Sequence, residues 1–162
     1  MPFLRISYYF TSATLVALGL LAIYYFRTAL DLRYVILLAL ATLGADTFAY
    51  FVGRSIGKHK LNPRLSPKKT IEGSIGGIVC GGLLALAYAY FVHIPYPLTH
   101  LALMSFVLAT TGQIGDLTFS SIKRTFEVKD YSQIFPGHGG VLDRFDSIIF
   151  NSMILGFLLT LL

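Results

Sequence analysis

The sequence predicts an all-α membrane protein: a polytopic bundle of about five transmembrane helices with a polar cavity on the cytoplasmic side. Hydrophobic residues make up 55% of the 162 positions and charged residues only 13%, and the mean hydropathy is +0.69. A soluble domain carries about 25% charged residues, so this chain has too little polar surface to cover a soluble body. The composition therefore excludes a soluble domain, a disordered chain and a fibrous repeat.

Five apolar stretches each supply most of the roughly 20 residues that a helix needs to cross a bilayer. The first is longer than the apolar core of a signal peptide, and we interpret it as a retained helix. The last has only 15 residues, so its helix is expected to begin earlier, near Asp143. We expect one membrane-embedded catalytic domain over 1–162, with 1–33 least tied to its core. The stretches lie at residues 8–26, 34–52, 74–92, 98–115 (running on to 122) and 148–162.

The positive charges predict the orientation of the chain. Residues 54–73 carry six Lys or Arg against Glu72 alone, and residues 123–147 carry four. Cytoplasmic loops are enriched in these residues. Five spans would place both segments and the N-terminus in the cytoplasm, and we expect the membrane to be a bacterial inner membrane. The net charge of +5 is then explained by loops that face anionic headgroups, without a nucleic-acid partner.

Small residues recur every four positions in the third stretch, beginning with Gly73, Gly77 and Gly81. Such a stripe lets two membrane helices approach closely. Two interpretations remain open at this point. The stripe packs within the bundle, which we favour, or it forms the contact of a homodimer.

Carboxylates inside apolar helices are costly and indicate function by default. Asp46 lies toward the end of the second stretch and Asp116 toward the end of the fourth. The alternative is structural: Asp46 would form a buried pair with Arg54, and Asp116 with Arg124.

Further acids follow in the segment before the last helix. Asp143 and Asp146 are three residues apart and would share one helix face. Together with Asp116 they offer three hard oxygen donors, which suit Mg²⁺. Several cations and a glycine-rich turn at 136–140 accompany them, a combination that favours metal-assisted chemistry on phosphates over ion conduction. The alternative is a solvated loop of balanced charge. The cations are Lys123, Arg124, Lys129 and Arg144.

Three segments resemble the phosphatidate cytidylyltransferases (CDP-diacylglycerol synthases). The first reads Ser120-Ser-Ile-Lys-Arg124, then Lys129-Asp-Tyr-Ser132, then Phe135-Pro-Gly-His-Gly-Gly-Val-Leu-Asp-Arg-Phe-Asp146, and matches over 27 positions with intact spacing. The others are Asp46-Thr-Phe-Ala-Tyr-Phe-Val-Gly-Arg54 and Ser66-Pro-Lys-Lys-Thr-Ile-Glu-Gly73. The resemblance covers about residues 40–150.

This resemblance implies that CTP and phosphatidic acid react, with Mg²⁺, to give CDP-diacylglycerol and pyrophosphate, and that a monovalent cation such as K⁺ shares the site. The lipid phosphate is already ionised at pH 7, so we expect direct in-line attack on the α-phosphorus of CTP. Carried over position by position, the expected catalytic residues are Asp116, Asp143, Lys123 and Arg124, and the expected metal ligands are Asp116, Asp143 and Asp146. The expected substrate-binding residues are Ser66, Lys68, Lys69, Thr70, Lys129, Asp130, His138, Gly139, Arg144 and Asp46.

One departure from the family pattern is Phe119, which stands where an acid is common. Two rival interpretations therefore remain. The first is a CTP-dependent kinase or transferase that acts on another lipid. The second is a non-catalytic membrane subunit.

Overall fold

The structure is a computed structural model that describes residues 2–63, 65–126, 131 and 142–162. Five α-helices form a bundle within those ranges, and a two-stranded hairpin closes one end. The helices are α1 Pro2–Tyr25, α2 Leu32–Ile56, α3 Ile71–Phe91, α4 Leu98–Thr125 and α5 Leu142–Leu161, and the strands are β1 Lys60–Asn62 and β2 Ser66–Thr70.

The structure confirms the predicted all-α class and the positions of the helices. Four apolar helical segments are long enough to cross a membrane, as expected for a multi-pass membrane protein. α5 begins at Leu142, next to the predicted start, but its apolar part, Phe145–Leu161, is shorter than the other four. The four longer segments are Ile6–Leu30, Leu32–Ile56, Ile71–Phe91 and Leu98–Thr125.

The segment 54–73, which the sequence predicts as a loop, contains the antiparallel hairpin of β1 and β2. Glu72, in the first turn of α3, fixes this hairpin to the bundle. Its carboxylate accepts hydrogen bonds from the backbone N–H of Lys58 at 3.1 Å and lies 2.6 Å from Nδ1 of His59. The backbone N–H of Ile71 donates to the carbonyl of His59 at 2.9 Å, so both ends of the hairpin lie beside the start of α3.

A second set of polar contacts ties α2 to α3 at the opposite end of the bundle. Asp31 caps α2 by accepting a hydrogen bond from the backbone N–H of Arg33 at 2.9 Å. The Arg33 guanidinium donates to the carbonyls of Val92 at 3.0 Å and His93 at 3.2 Å, where α3 ends. Orphan carbonyls at a helix end need such donors. The contact fixes where α3 turns toward α4.

The small-residue stripe of α3 packs inside the molecule. An added Cβ at Gly81 would lie 2.5 Å from the backbone nitrogen of Ala45, and one at Gly73 would lie 2.6 Å from the carbonyl oxygen of Ala49. At Gly77 it would meet the carbonyl oxygen of Ala45 directly. The favoured interpretation is therefore correct. The homodimer interpretation is wrong for this face, because α2 covers it.

Asn151 joins three helices in the apolar interior. Its amide nitrogen donates to the Thr42 hydroxyl at 2.8 Å and the Leu108 carbonyl at 2.7 Å, and its oxygen accepts from the Thr111 hydroxyl at 2.6 Å. Asn151 is fully buried. One side chain thereby sets the register of α5 against α2 and α4, the helices that carry Asp46 and Asp116.

Replacing Gly77 with leucine tests the close approach of α2 and α3. Overpacking costs about 1–3 kcal/mol or more, which lowers the melting temperature of a chain this size by several degrees. The measurement is the temperature at which the detergent-solubilised protein loses its monodisperse gel-filtration peak. Gly156→Ala is the control, because a Cβ there would meet Phe26 only at 3.7 Å. Equal melting temperatures for Gly77→Leu and the parent would show that the two helices do not pack through this glycine.

Candidate functional site

A cavity of about 400 Å³ lies where the hairpin meets α2, α3 and α4. α2 contributes one face to it, because positions four and eight after Asp46 fall on the same side of a helix. α4 contributes Asp116, and β2 contributes Lys68 and Lys69 from the hairpin side of the cavity. The charged and hydroxyl-bearing residues that matter most here are Asp46, Tyr50, Arg54, Lys68, Lys69 and Asp116.

Lys69 connects the two intramembrane carboxylates. Its ammonium nitrogen lies 2.5 Å from an oxygen of Asp116 and 4.0 Å from an oxygen of Asp46. That nitrogen is inaccessible to solvent. The structural alternative, in which Asp46 pairs with Arg54 and Asp116 with Arg124, named the wrong partners. Arg54 donates to the Tyr50 hydroxyl at 3.0 Å, and Asp116 pairs with Lys69.

Lys123 forms a second, more buried centre with the acids of α5. Its ammonium nitrogen lies 2.9 Å from Asp143 and 3.4 Å from Asp146, and the residue is only 8% exposed. The ring of Tyr131 covers the ammonium at 5.2 Å, and the backbone N–H of Tyr131 donates to Asp143 at 2.9 Å. Lys123, which the resemblance presents as catalytic, thus neutralises two carboxylates in this structure.

Tyr131 covers this second centre with an uncharged aromatic side chain. Burial, reinforced by the negative charges of Asp146 and Asp143, raises the pKa of Tyr131 to about 12. The phenol therefore stays protonated at physiological pH. Phe119 packs edge-on against the same ring with centroids 6.3 Å apart and is 1% exposed. At the position where the sequence resemblance leads us to expect an acid, this chain buries an aromatic ring.

The structure divides the three predicted metal ligands between the two centres. Asp116 faces Lys69, whereas Asp143 and Asp146 face Lys123. In the described part of the chain, no three His, Cys, Asp or Glu side chains come close enough to hold a metal ion together. Asp46, Asp116 and Asp146 do lie within electrostatic range of one another. This arrangement fits a Mg²⁺ ion held by one or two carboxylates and by substrate phosphates better than a three-carboxylate site.

The predicted phosphate-binding segment takes two different roles. Ser66 and Lys68 line the cavity together with Lys69. Thr70 also lines it, but the residue is buried and its hydroxyl accepts a hydrogen bond from the backbone N–H of Gly73 at 3.2 Å. Thr70 is therefore the N-cap of α3, a role that the sequence reasoning did not assign to it.

Several residues that line the cavity were not predicted as site residues. Gln113 donates to the Ser74 carbonyl at 3.1 Å, and the Ser74 hydroxyl donates back to Gln113, so these two side chains close the cavity between α3 and α4. Gln113 lies three residues before Asp116 and shares its helix face, although the sequence analysis assigned it no role in the site. The missed residues are Tyr50, Arg54, Lys60, Ser74 and Gln113.

The remaining predicted residues do not reach the cavity or lie outside the described part. Arg124 is exposed in the last turn of α4. The others, all outside the described residues, are Lys129, Asp130, His138, Gly139 and the side chain of Arg144.

Comparison with known proteins adds independent findings. A family model described as the cytidylyltransferase family matches residues 2–162. A phosphatidate cytidylyltransferase of Bacillus subtilis is 46% identical over 130 residues, which are 80% of this chain and 48% of the relative. One of Staphylococcus epidermidis is 44% identical over 157 residues, 97% of this chain and 60% of the relative. The chain thus spans about half to three-fifths of the length of these relatives.

The match to the family model extends over the helices that carry both lysine–carboxylate centres and the hairpin above them. The resemblance seen in three sequence segments is therefore confirmed over the chain: it belongs to the cytidylyltransferase family.

Proposed function

We propose that this chain carries the catalytic site of a phosphatidate cytidylyltransferase, within a single domain of residues 1–162. The observation that supports it most directly is the cavity in which Lys69 lies between Asp46 and Asp116. The two relatives described above are 46% and 44% identical to the chain, and the activity in their name, cytidylyl transfer to phosphatidate, joins two anionic substrates. A cavity with both carboxylates and lysines suits such a reaction.

The proposed reaction transfers a cytidylyl group. An oxygen of the lipid phosphate forms a bond with the α-phosphorus of CTP, the bond between the α-phosphorus and the bridging oxygen breaks, and pyrophosphate leaves with that electron pair. The attacking oxygen is already ionised, so no strong base is required. Lys68, on β2, lines the cavity and would stabilise charge on the phosphates, whereas the buried Lys69 would act by neutralising Asp46 and Asp116.

Mg²⁺ is the proposed cofactor, with K⁺ as a second ion, and Asp116 with Asp46 or Asp146 would supply the protein ligands. A bound Mg²⁺ neutralises charge on the leaving phosphates. The carboxylates suit it because oxygen is the ligand this ion prefers. Asp143 pairs with Lys123 at 2.9 Å and accepts a hydrogen bond from the backbone of Tyr131, and we propose a positioning role for it.

The proposed location is a bacterial inner membrane, with the hairpin and the N-terminus in the cytoplasm. The connection between α2 and α3, which contains the hairpin, carries Lys58, Lys60, Lys68 and Lys69. By the positive-inside rule this distribution supports a cytoplasmic hairpin, and the cavity would then lie on the side where CTP is found.

The first test is formation of CDP-diacylglycerol from labelled CTP and phosphatidate in mixed micelles. Asp116→Asn removes the charge that holds Lys69 while keeping the shape of the side chain. We expect kcat to fall by about 100-fold or more, as for loss of one essential electrostatic group. Asp31→Asn, at the opposite end of α2, is the matched control and should keep parental activity. Full activity of Asp116→Asn would contradict the proposed site.

Removal of divalent ions tests the cofactor. We expect EDTA to abolish product formation and added Mg²⁺ to restore it, because the carboxylates and the substrate phosphates together complete the coordination. A parallel titration of labelled CTP binding should show the same dependence on Mg²⁺. Undiminished turnover in EDTA would rule out the metal-assisted reaction, whereas turnover lost in EDTA with CTP binding unchanged would place the ion in the chemical step.

A further inference from the structure

The last two turns of α2 form one wall of the cavity, and the function proposed above assigns no role to the residues that line it there. Tyr50 and Arg54 both line the cavity and lie on one helix face. Phe51, about 100° around the helix from Tyr50, is 59% exposed, and Tyr50 is itself 59% exposed. Large exposed apolar side chains on a membrane helix face lipid, so the cavity wall and the lipid-facing surface of α2 meet at Tyr50 and Arg54.

The guanidinium of Arg54 has donors available for a ligand of negative charge. Its guanidinium forms no ion pair with any described residue, in contrast to Lys69 and Lys123. The hydrogen bond to the Tyr50 hydroxyl, 3.0 Å long, uses one donor and fixes the direction of the side chain. The remaining donors of a guanidinium match two oxygens of one phosphate. Arg54 also lies two residues before the end of α2 at Ile56, the level at which headgroups are expected.

We propose that Arg54, oriented by Tyr50, binds the phosphomonoester of the membrane-lipid substrate where the cavity meets the bilayer. This inference rests on the proposed function and deepens it. The lipid phosphate enters along α2, with its acyl chains against Phe51. The nucleotide phosphates lie on the hairpin side, where Lys60 and Lys68 line the same cavity.

The test separates the two substrates. In Arg54→Gln we expect KM for phosphatidate to rise at least about tenfold, the loss expected for a charge-assisted hydrogen bond, while KM for CTP stays within about twofold. Tyr50→Phe should raise KM for phosphatidate by a smaller factor, and Arg54→Lys should recover part of the loss. The control is Arg27→Gln, which removes one exposed cation at the other end of the bundle.

Binding without turnover distinguishes this inference from the proposed function. The probe is dihexanoyl-phosphatidate, titrated calorimetrically into the detergent-solubilised protein, with inorganic phosphate and dihexanoyl-phosphatidylcholine in parallel. Binding of phosphatidate by the parent and its loss in Arg54→Gln support the inference even where no product forms. Equal binding of inorganic phosphate would show a free-phosphate site instead.

Three outcomes would overturn the assignment of Arg54. The first is a rise in KM for CTP equal to or larger than that for phosphatidate, which would place the nucleotide at this residue. The second is unchanged kinetics in Arg54→Gln with an unaltered gel-filtration profile, which would leave Arg54 as a determinant of topology. The third is the absence of phosphatidate binding by the parent itself.

Discussion

Charge compensation inside an apolar bundle is the constraint on which the arrangement of this protein depends. Four carboxylates lie at one end of α2, α4 and α5, and two lysines neutralise them in part. Removing one partner of a buried ion pair costs about 3–5 kcal/mol, because the other charge is left without water. Lys69 must therefore stay between Asp46 and Asp116, and Lys123 must stay beside the acids of α5.

This constraint explains why the hairpin and the glycine stripe occur together. Lys69 reaches Asp116 only if β2 folds back over the end of the bundle, and the hairpin that carries it joins α2 to α3 directly. Close packing at Gly73 and Gly77 brings those helix ends near enough for a short connection. Glu72 then holds the hairpin through backbone donors, so that the position of Lys69 is set by the backbone as well as by its own ion pairs.

Hydropathy and the cost of intramembrane carboxylates were sufficient to predict the helices and to single out Asp46 and Asp116. The ion-pair partner of these acids could not be predicted in this way. Residue spacing along one helix suggests Arg54 and Arg124, whereas Lys69 lies on β2 and reaches the acids only because the hairpin folds over the end of the bundle. The hairpin was missed since β1 has only three residues and gives no alternating pattern. A catalytic role was expected of Lys123, yet its depth of burial follows from packing of α4 against α5, which no local pattern records.

The charged groups of the site lie at different depths. The two lysine–carboxylate centres are largely buried, and the exposed cations Arg54, Lys60 and Lys68 line the opening of the cavity, its mouth. Lys69 and Asp116 are about three-quarters buried, whereas Arg54, Lys60 and Lys68 are exposed. The proposed reaction between two phosphates needs this order, because the anions repel each other until cations surround both. Mouth cations that form no ion pair with any described residue can attract an anion without first breaking an internal contact. The buried carboxylates, in excess over their lysines, then favour a further positive charge between the acids and the phosphates.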